Sequence, residues 1–101
     1  MYSRVTLLEI DTLRTSMESS VARFTDEVLP ELREQEGYEG VLVLTTPEGK
    51  GMVVSFWDTL EAAAAATAFA AAAVERFVTL YSAAPGREHY EVAFADLPIV
   101  A

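Results

Sequence analysis

The 101-residue sequence predicts an α+β fold with the element order β-α-β-β-α-β. Three observations carry that prediction. Two blocks of helical periodicity run from Leu13 to Gln35 and from Leu60 to Tyr81, a compact hairpin from Val41 to Trp57 lies between them, and strand-patterned segments stand at both ends. A split β-α-β arrangement of this kind closes one four-stranded antiparallel sheet with both helical blocks on a single face. The length suits one domain, taken as residues 1–101, with enough core to need neither disulfide nor metal.

Tyr2 to Ile10 alternates as a half-buried strand, with Tyr2, Arg4, Thr6, Leu8 and Ile10 on one face and Ser3, Val5, Leu7 and Glu9 on the other. Helix one follows. Its apolar stripe is Leu13, Met17, Val21, Phe24, Val28 and Leu32, and Pro30 within the pattern predicts a break near Leu29 and a last short turn. Gly37-Tyr38-Glu39-Gly40 ends the block, because glycine accepts the positive φ of a tight loop. Val41 to Thr46 and Gly51 to Trp57 then pair around Pro47-Glu48-Gly49-Lys50, with Pro47 at the second position of a type I turn and Gly49 at the left-handed position after it. Asp58 or Thr59 caps the second helical block. Its alanines, Ala62 to Ala66 and Ala70 to Ala73, are strong helix formers that let a helix approach a sheet closely, and Phe69, Ala73, Phe77, Leu80 and Tyr81 keep helical spacing. Ala84-Pro85-Gly86 reads as a stop, and His89 to Ala95 as the last strand.

Composition narrows the function. The absence of cysteine removes thiol catalysis and thiolate metal sites and fits a reducing cytoplasm. Met1 to Glu9 carries charges inside an alternating pattern and does not read as a signal peptide, and the alanine-rich stretch is too short for a membrane span. Sixteen acidic residues against seven basic ones give a net charge of −9, which repels phosphate backbones and anionic lipid. The expectation is a cytoplasmic protein with neither nucleic acid nor membrane as partner.

An antiparallel sheet with helices on one side and water on the other should be apolar on one face only. Here Val41, Leu42, Val43 and Leu44 are apolar on both faces, as are Met52, Val53, Val54, Phe56 and Trp57. Exposing such side chains would forgo about 1.5 to 3 kcal/mol each. A second copy of the chain is the simplest cover, so the expectation is a homodimer whose two sheets form a barrel.

The order and spacing of Tyr2-Ser3-Arg4-Val5, Asp26-Glu27-Val28-Leu29-Pro30, Gly37-Tyr38-Glu39-Gly40, Ser55-Phe56-Trp57-Asp58 and Glu88-His89-Tyr90-Glu91-Val92 resemble the antibiotic biosynthesis monooxygenase family of dimeric α+β barrels. The resemblance covers nearly the whole chain. It implies a ferredoxin-like sheet dimerising into an α+β barrel, and oxygen-dependent oxidation of an aromatic substrate without flavin or metal. The wider superfamily includes haem-degrading enzymes, which place an Asn on the first strand, a Trp at the end of the third and a His beyond it. The corresponding positions here are Thr6, Trp57 and Thr67, and only the Trp is retained. Haem ligation is therefore not expected, and neither cofactor nor metal is assigned.

Trp57 shares a strand face with Ser55 and Val53; its indole either stacks on a planar ligand or fills the core. His89, the sole imidazole, is the one group suited to general base work near neutral pH, with a solvated or dimer-contacting role as the alternative. These two are the candidate catalytic residues. Arg4, Thr6, Ser55 and Tyr81 are the candidate ligand-binding residues: Arg4 for an anionic substrate or a structural ion pair, Tyr81 for a phenolic ligand or the core. Glu31, Glu34 and Glu36 lack a His at ligand spacing and read as a solvated face. The expected function is cofactor-independent oxidation of a small aromatic or polyketide-like molecule; the alternative is a non-catalytic ligand-binding or structural homodimer.

Overall fold

The computed structural model describes residues 1–76 and 81–96, with side chains described for 1–73 and 89–96. The order is β1 (Tyr2–Ile10), α1 (Met17–Arg23), a π-helical turn (Phe24–Val28), α2 (Leu29–Leu32), β2 (Tyr38–Thr45), β3 (Lys50–Trp57), α3 (Leu60–Arg76) and β4 (Tyr81–Glu91). The four strands form one antiparallel sheet in the order β2-β3-β1-β4, the ferredoxin-like arrangement. The two central strands, β1 and β3, therefore supply the middle of the helix-covered face.

The first helical block begins later than its periodicity suggests. Asp11 closes a local turn instead: its Oδ1 accepts from the Leu13 N–H at 3.0 Å, and its carbonyl accepts from the Arg14 N–H at 2.9 Å. Leu13 is left 96% exposed and belongs to no stripe. Ser16 then caps α1, accepting from the Ser19 N–H at 3.0 Å. The expected break before Pro30 is the π-helical turn, in which the Leu29 N–H reaches the Phe24 carbonyl. Proline has no N–H and its ring crowds the carbonyl four residues back, so a wider turn relieves both problems at once.

The hairpin follows the sequence reading. Gly49 N–H donates to the Thr46 carbonyl at 3.2 Å with Pro47 between them, and Gly49 has φ +98°. Thr59 is the cap of α3, its Oγ1 accepting from the Ala62 N–H at 3.1 Å.

Two expectations for the last third are corrected. Tyr81 opens β4 and is not on the helical stripe, since α3 ends at Arg76; Phe77 and Leu80 lie outside the described residues. The last strand is Tyr81–Glu91, not His89 to Ala95, and Ala84-Pro85-Gly86 lies inside it. Its length is set by its partner: β1 offers Ile10 to Tyr81 at one end and Tyr2 to Glu91 at the other. Pro85 is tolerated because β4 is an edge strand and because register shifts leave Ala84 and Pro85 opposite Leu8 alone, as in a bulge.

The core lies between the sheet and the helices. Leu32, Trp57, Ala63 and Ala66 form its buried centre, with Phe24, Tyr38, Val41 and Phe69 packed around them. Alanine at 63 and 66 lets α3 come close enough to cover the indole. Among the described residues nothing covers the opposite face of the sheet in this way: Leu7, Leu42, Leu44 and Met52 are 50%, 41%, 52% and 36% exposed.

Candidate functional site

The alternation of β1 and β3 assembles the site. Antiparallel pairing places Tyr2 opposite Trp57, Arg4 opposite Ser55 and Thr6 opposite Val53, and directly opposed residues project to the same face. The helix-facing side of the central strands is thus laid out in layers, an aromatic one, then two containing polar groups, then the apolar Leu8 and Ile10.

A cleft of about 140 Å³ lies between this face and the helices. Arg4, Thr6, Ser55 and Trp57, four of the expected site residues, all line it. Its inner end is formed by buried Trp57, Ser55 and Ala66, and its rim by exposed Arg23 and Thr45. Most of the remaining wall is aliphatic or aromatic, including Leu8, Ile10, Val21 and Phe24.

The polar groups within it are organised. Arg4 and Thr6 are 5% and 7% exposed, and Arg4 Nη1 donates to Thr6 Oγ1 at 2.9 Å. Trp57 is 1% exposed; its Nε1 donates to Ser55 Oγ at 2.8 Å, and Ser55 Oγ in turn donates to the Arg4 carbonyl at 3.4 Å. The Tyr38 ring meets the indole edge to face at 5.9 Å and 78°. The indole is therefore held by packing and by a hydrogen bond, with its ring forming the closed end of the cleft.

His89 is exposed and lies on β4 directly opposite Arg4, one strand away from the cleft wall. It does not line the cleft. Tyr81 opens β4 opposite Ile10, and its side chain lies outside the described ones. Met17, Ser20 and Thr45 line the outer part of the cleft and were not singled out as site residues. The signal for Thr45 was its alternation with Val41 and Val43 on β2, and for Met17 its place on the helix stripe.

Haem does not suit these residues. Among the described residues the cleft presents neither imidazole nor thiol, Thr67 stands half-buried where the haem-degrading pattern has its His, and no group of three or more His, Cys, Asp or Glu is placed to hold a metal ion. Among the described residues no helix is long and apolar enough to cross a membrane.

No protein-family model matches the chain. Two uncharacterised proteins of Mycobacterium tuberculosis are 30% identical to it over 94 residues, which is 92% of this chain; the chain spans 39% of the length of these relatives. Among solved structures, a protein of unknown function from Nitrosomonas europaea aligns with TM-score 0.75 and 23% identity, over 98% of this chain and 95% of its own. A monooxygenase from the ActVA-Orf6 gene of Streptomyces coelicolor, in complex with nanaomycin D, aligns with TM-score 0.72 and 18% identity, over 97% and 92%. The chain has the antibiotic biosynthesis monooxygenase-like fold. That fold also serves the haem-degrader MhuD of M. tuberculosis, which bears two haems in its active site and aligns with TM-score 0.71 and 20% identity, over 95% of this chain and 99% of its own. Proteins with the monooxygenase-like fold thus carry different chemistries, and the cleft must decide between them.

Proposed function

We propose that this domain binds a small aromatic or polyketide-like molecule in the cleft between its central strands and helices and oxidises it with dioxygen, without metal or flavin. The observation that carries this reading is the buried Arg4–Thr6 pair beside the Ser55–Trp57 pair in an otherwise apolar cleft. The monooxygenase neighbour adds weight.

The chemistry asks for little machinery. An activated ring CH₂ reacting with O₂ gives a ring carbonyl and water, so the substrate supplies both hydrogens and no external reductant is required. The protein must favour the electron-rich anion that reacts with oxygen, and a buried guanidinium with a hydroxyl beside it does so in a medium of low dielectric. The apolar wall keeps water from the anion. The proton released as the anion forms passes to solvent, since His89 is exposed across from Arg4 and does not line the cleft. The functional unit is a homodimer, in which a second copy covers Leu7, Leu42, Leu44 and Met52.

Oxygen-electrode assays with a panel of anthrones and quinols should show saturable uptake above the uncatalysed rate, together with quenching of Trp57 fluorescence. A second reading, binding without catalysis, is favoured by one observation: among the described residues no Asp, Glu or His lines the cleft. Saturable quenching with no oxygen uptake would select it.

A further inference from the structure

We infer that α1 is a lid on the cleft, hinged at the π-helical turn, and that a ligand enters between α1 and β2 past Met17 and Val21. The inference rests on the reading that this cleft is the ligand site, and it adds the route by which that site is reached.

Burial divides the cleft wall into fixed and loose parts. The sheet side is anchored by Arg4, Thr6, Ile10, Ser55 and Trp57, and α3 by Ala66 and Ala73, all of them buried. The first helical block is anchored at its far end, by Val28 and Leu32. From Asp11 to Glu27 no residue is buried, yet this stretch gives the cleft Met17, Ser20, Val21, Arg23 and Phe24. It is a strap between two fixed points, Ile10 and Val28. A wall segment that buries little apolar surface lifts at small cost, and lids are drawn from such parts of a fold.

Both ends of the strap interrupt regular structure. At one end the Asp11 turn closes on itself through the Leu13 and Arg14 N–H groups, and the Ser16 cap starts the helix afresh. At the other the π-helical turn breaks the α-helical ladder between Arg23 and Leu29, with the Leu29 N–H reaching the Phe24 carbonyl. Between them α1 is one short rod, its first turn tied by Ser20 Oγ donating to the Ser16 carbonyl at 3.0 Å. It can swing without unwinding.

The mouth lies where the strap meets β2. An open groove runs outside the cleft between α1 and the Thr45-Thr46-Pro47 corner, and Met17, Val21 and Thr45 line both. These three side chains are therefore the partition between groove and cleft. Thr45 is held in the sheet opposite Gly51, whereas Met17 and Val21 ride on the strap. Lifting α1 away from β2 joins groove and cleft into one channel that leads to the indole of Trp57. Methionine suits a gate, because its unbranched thioether chain repacks readily.

Acrylamide, a small neutral quencher, reads access to Trp57, the sole tryptophan and the inner end of the cleft, without any choice of ligand. In the intact protein Met17→Ala and Val21→Ala should each raise the quenching rate constant about threefold or more, and Val21→Phe should lower it. Leu60→Ala, at the start of α3 and outside the cleft, should leave the rate near that of the unaltered protein. Quenching that ignores the three α1 substitutions, or that rises as much for Leu60→Ala as for Val21→Ala, would overturn the route. Methyl relaxation dispersion on the unaltered protein reads the lid itself and needs no variant to fold: the Met17 and Val21 methyls should exchange on the μs–ms timescale while those of Ala63 and Ala66 do not. Flat profiles at Met17 and Val21, or the same exchange at all four residues, would overturn the lid. Gated quenching with no oxygen uptake on any anthrone or quinol would support this inference while ending the oxidation reading. Oxygen uptake with quenching indifferent to the α1 substitutions would do the opposite.

Discussion

At the scale of single residues, Trp57 joins the core and the cleft. Its ring packs on Leu32, Ala63 and Ala66, and its indole N–H is satisfied by Ser55 inside the protein. Trp57→Phe should therefore cost about 1 to 3 kcal/mol through lost packing and a lost hydrogen bond, read from the urea midpoint. Ser55→Ala should cost a similar amount, about 1 to 3 kcal/mol, because it strands the buried N–H. If both variants unfold at the parental midpoint, the indole is not held as described. Strict alternation put Arg4 and Thr6 on one face of β1 and Ser55 and Trp57 on one face of β3, and the family resemblance implied that this face lines the cleft. What neither could supply was Ser55 as the acceptor for the indole, since that depends on two rotamers. The catalytic expectation for His89 rested on residue type; its register opposite Arg4 becomes visible only when β1 and β4 are paired.

At the scale of elements, the corners matter more than the runs between them. Gly37 has φ +82°, and its carbonyl accepts from the Asp58 N–H at 2.9 Å, joining the start of β2 to the loop before α3. A Cβ at Gly37 would fall 2.6 Å from the Ala62 Cβ and 2.4 Å from Asp58 Oδ1. Strain and contact act together there. Gly37→Ala should destabilise by about 1 to 3 kcal/mol, whereas Gly40→Ala, whose Cβ would meet only the Phe56 ring at 3.9 Å, should change the melting temperature far less. Equal losses at the two positions would refute the special role of Gly37. Turn chemistry made Gly37 and Gly49 legible in the sequence, as it did Pro47. The stripe from Met17 to Leu32 was also legible, and its mean spacing, longer than the 3.6 residues of an α-helix, is accommodated by the π-helical turn. Leu13 was misread because its spacing fits the stripe while Asp11 competes for the same backbone. The bounds of β4 were misread because an edge strand inherits its length from its neighbour, and no local pattern in Ala84-Pro85-Gly86 records a bulge.

At the scale of the whole molecule, the sheet's second face is the feature that a single chain leaves unresolved. Cross-strand register stacks Leu42, Val54 and Val5 in one row and Leu44, Met52 and Leu7 in the next, an apolar band across three strands on the side away from the helices. The alternation of each strand was plain in the sequence, but which of Leu42 and Val43 faces outward was not; Val43 lines the cleft and Leu42 lies on the open face. If a second copy covers that band, light scattering at micromolar concentration should give about twice the 11.0 kDa chain mass. Leu42→Asp places a charge in the middle of the contact, where desolvation without a partner costs several kcal/mol, and should shift the mass toward that of one chain while lowering the melting temperature in a concentration-dependent way. Leu13→Asp is the matched control: the same change at a 96% exposed position outside the band should leave the mass unaltered. A well-folded unaltered protein that stays at one chain mass under these conditions would remove the dimer from the proposal, and the band would then need a partner of another kind.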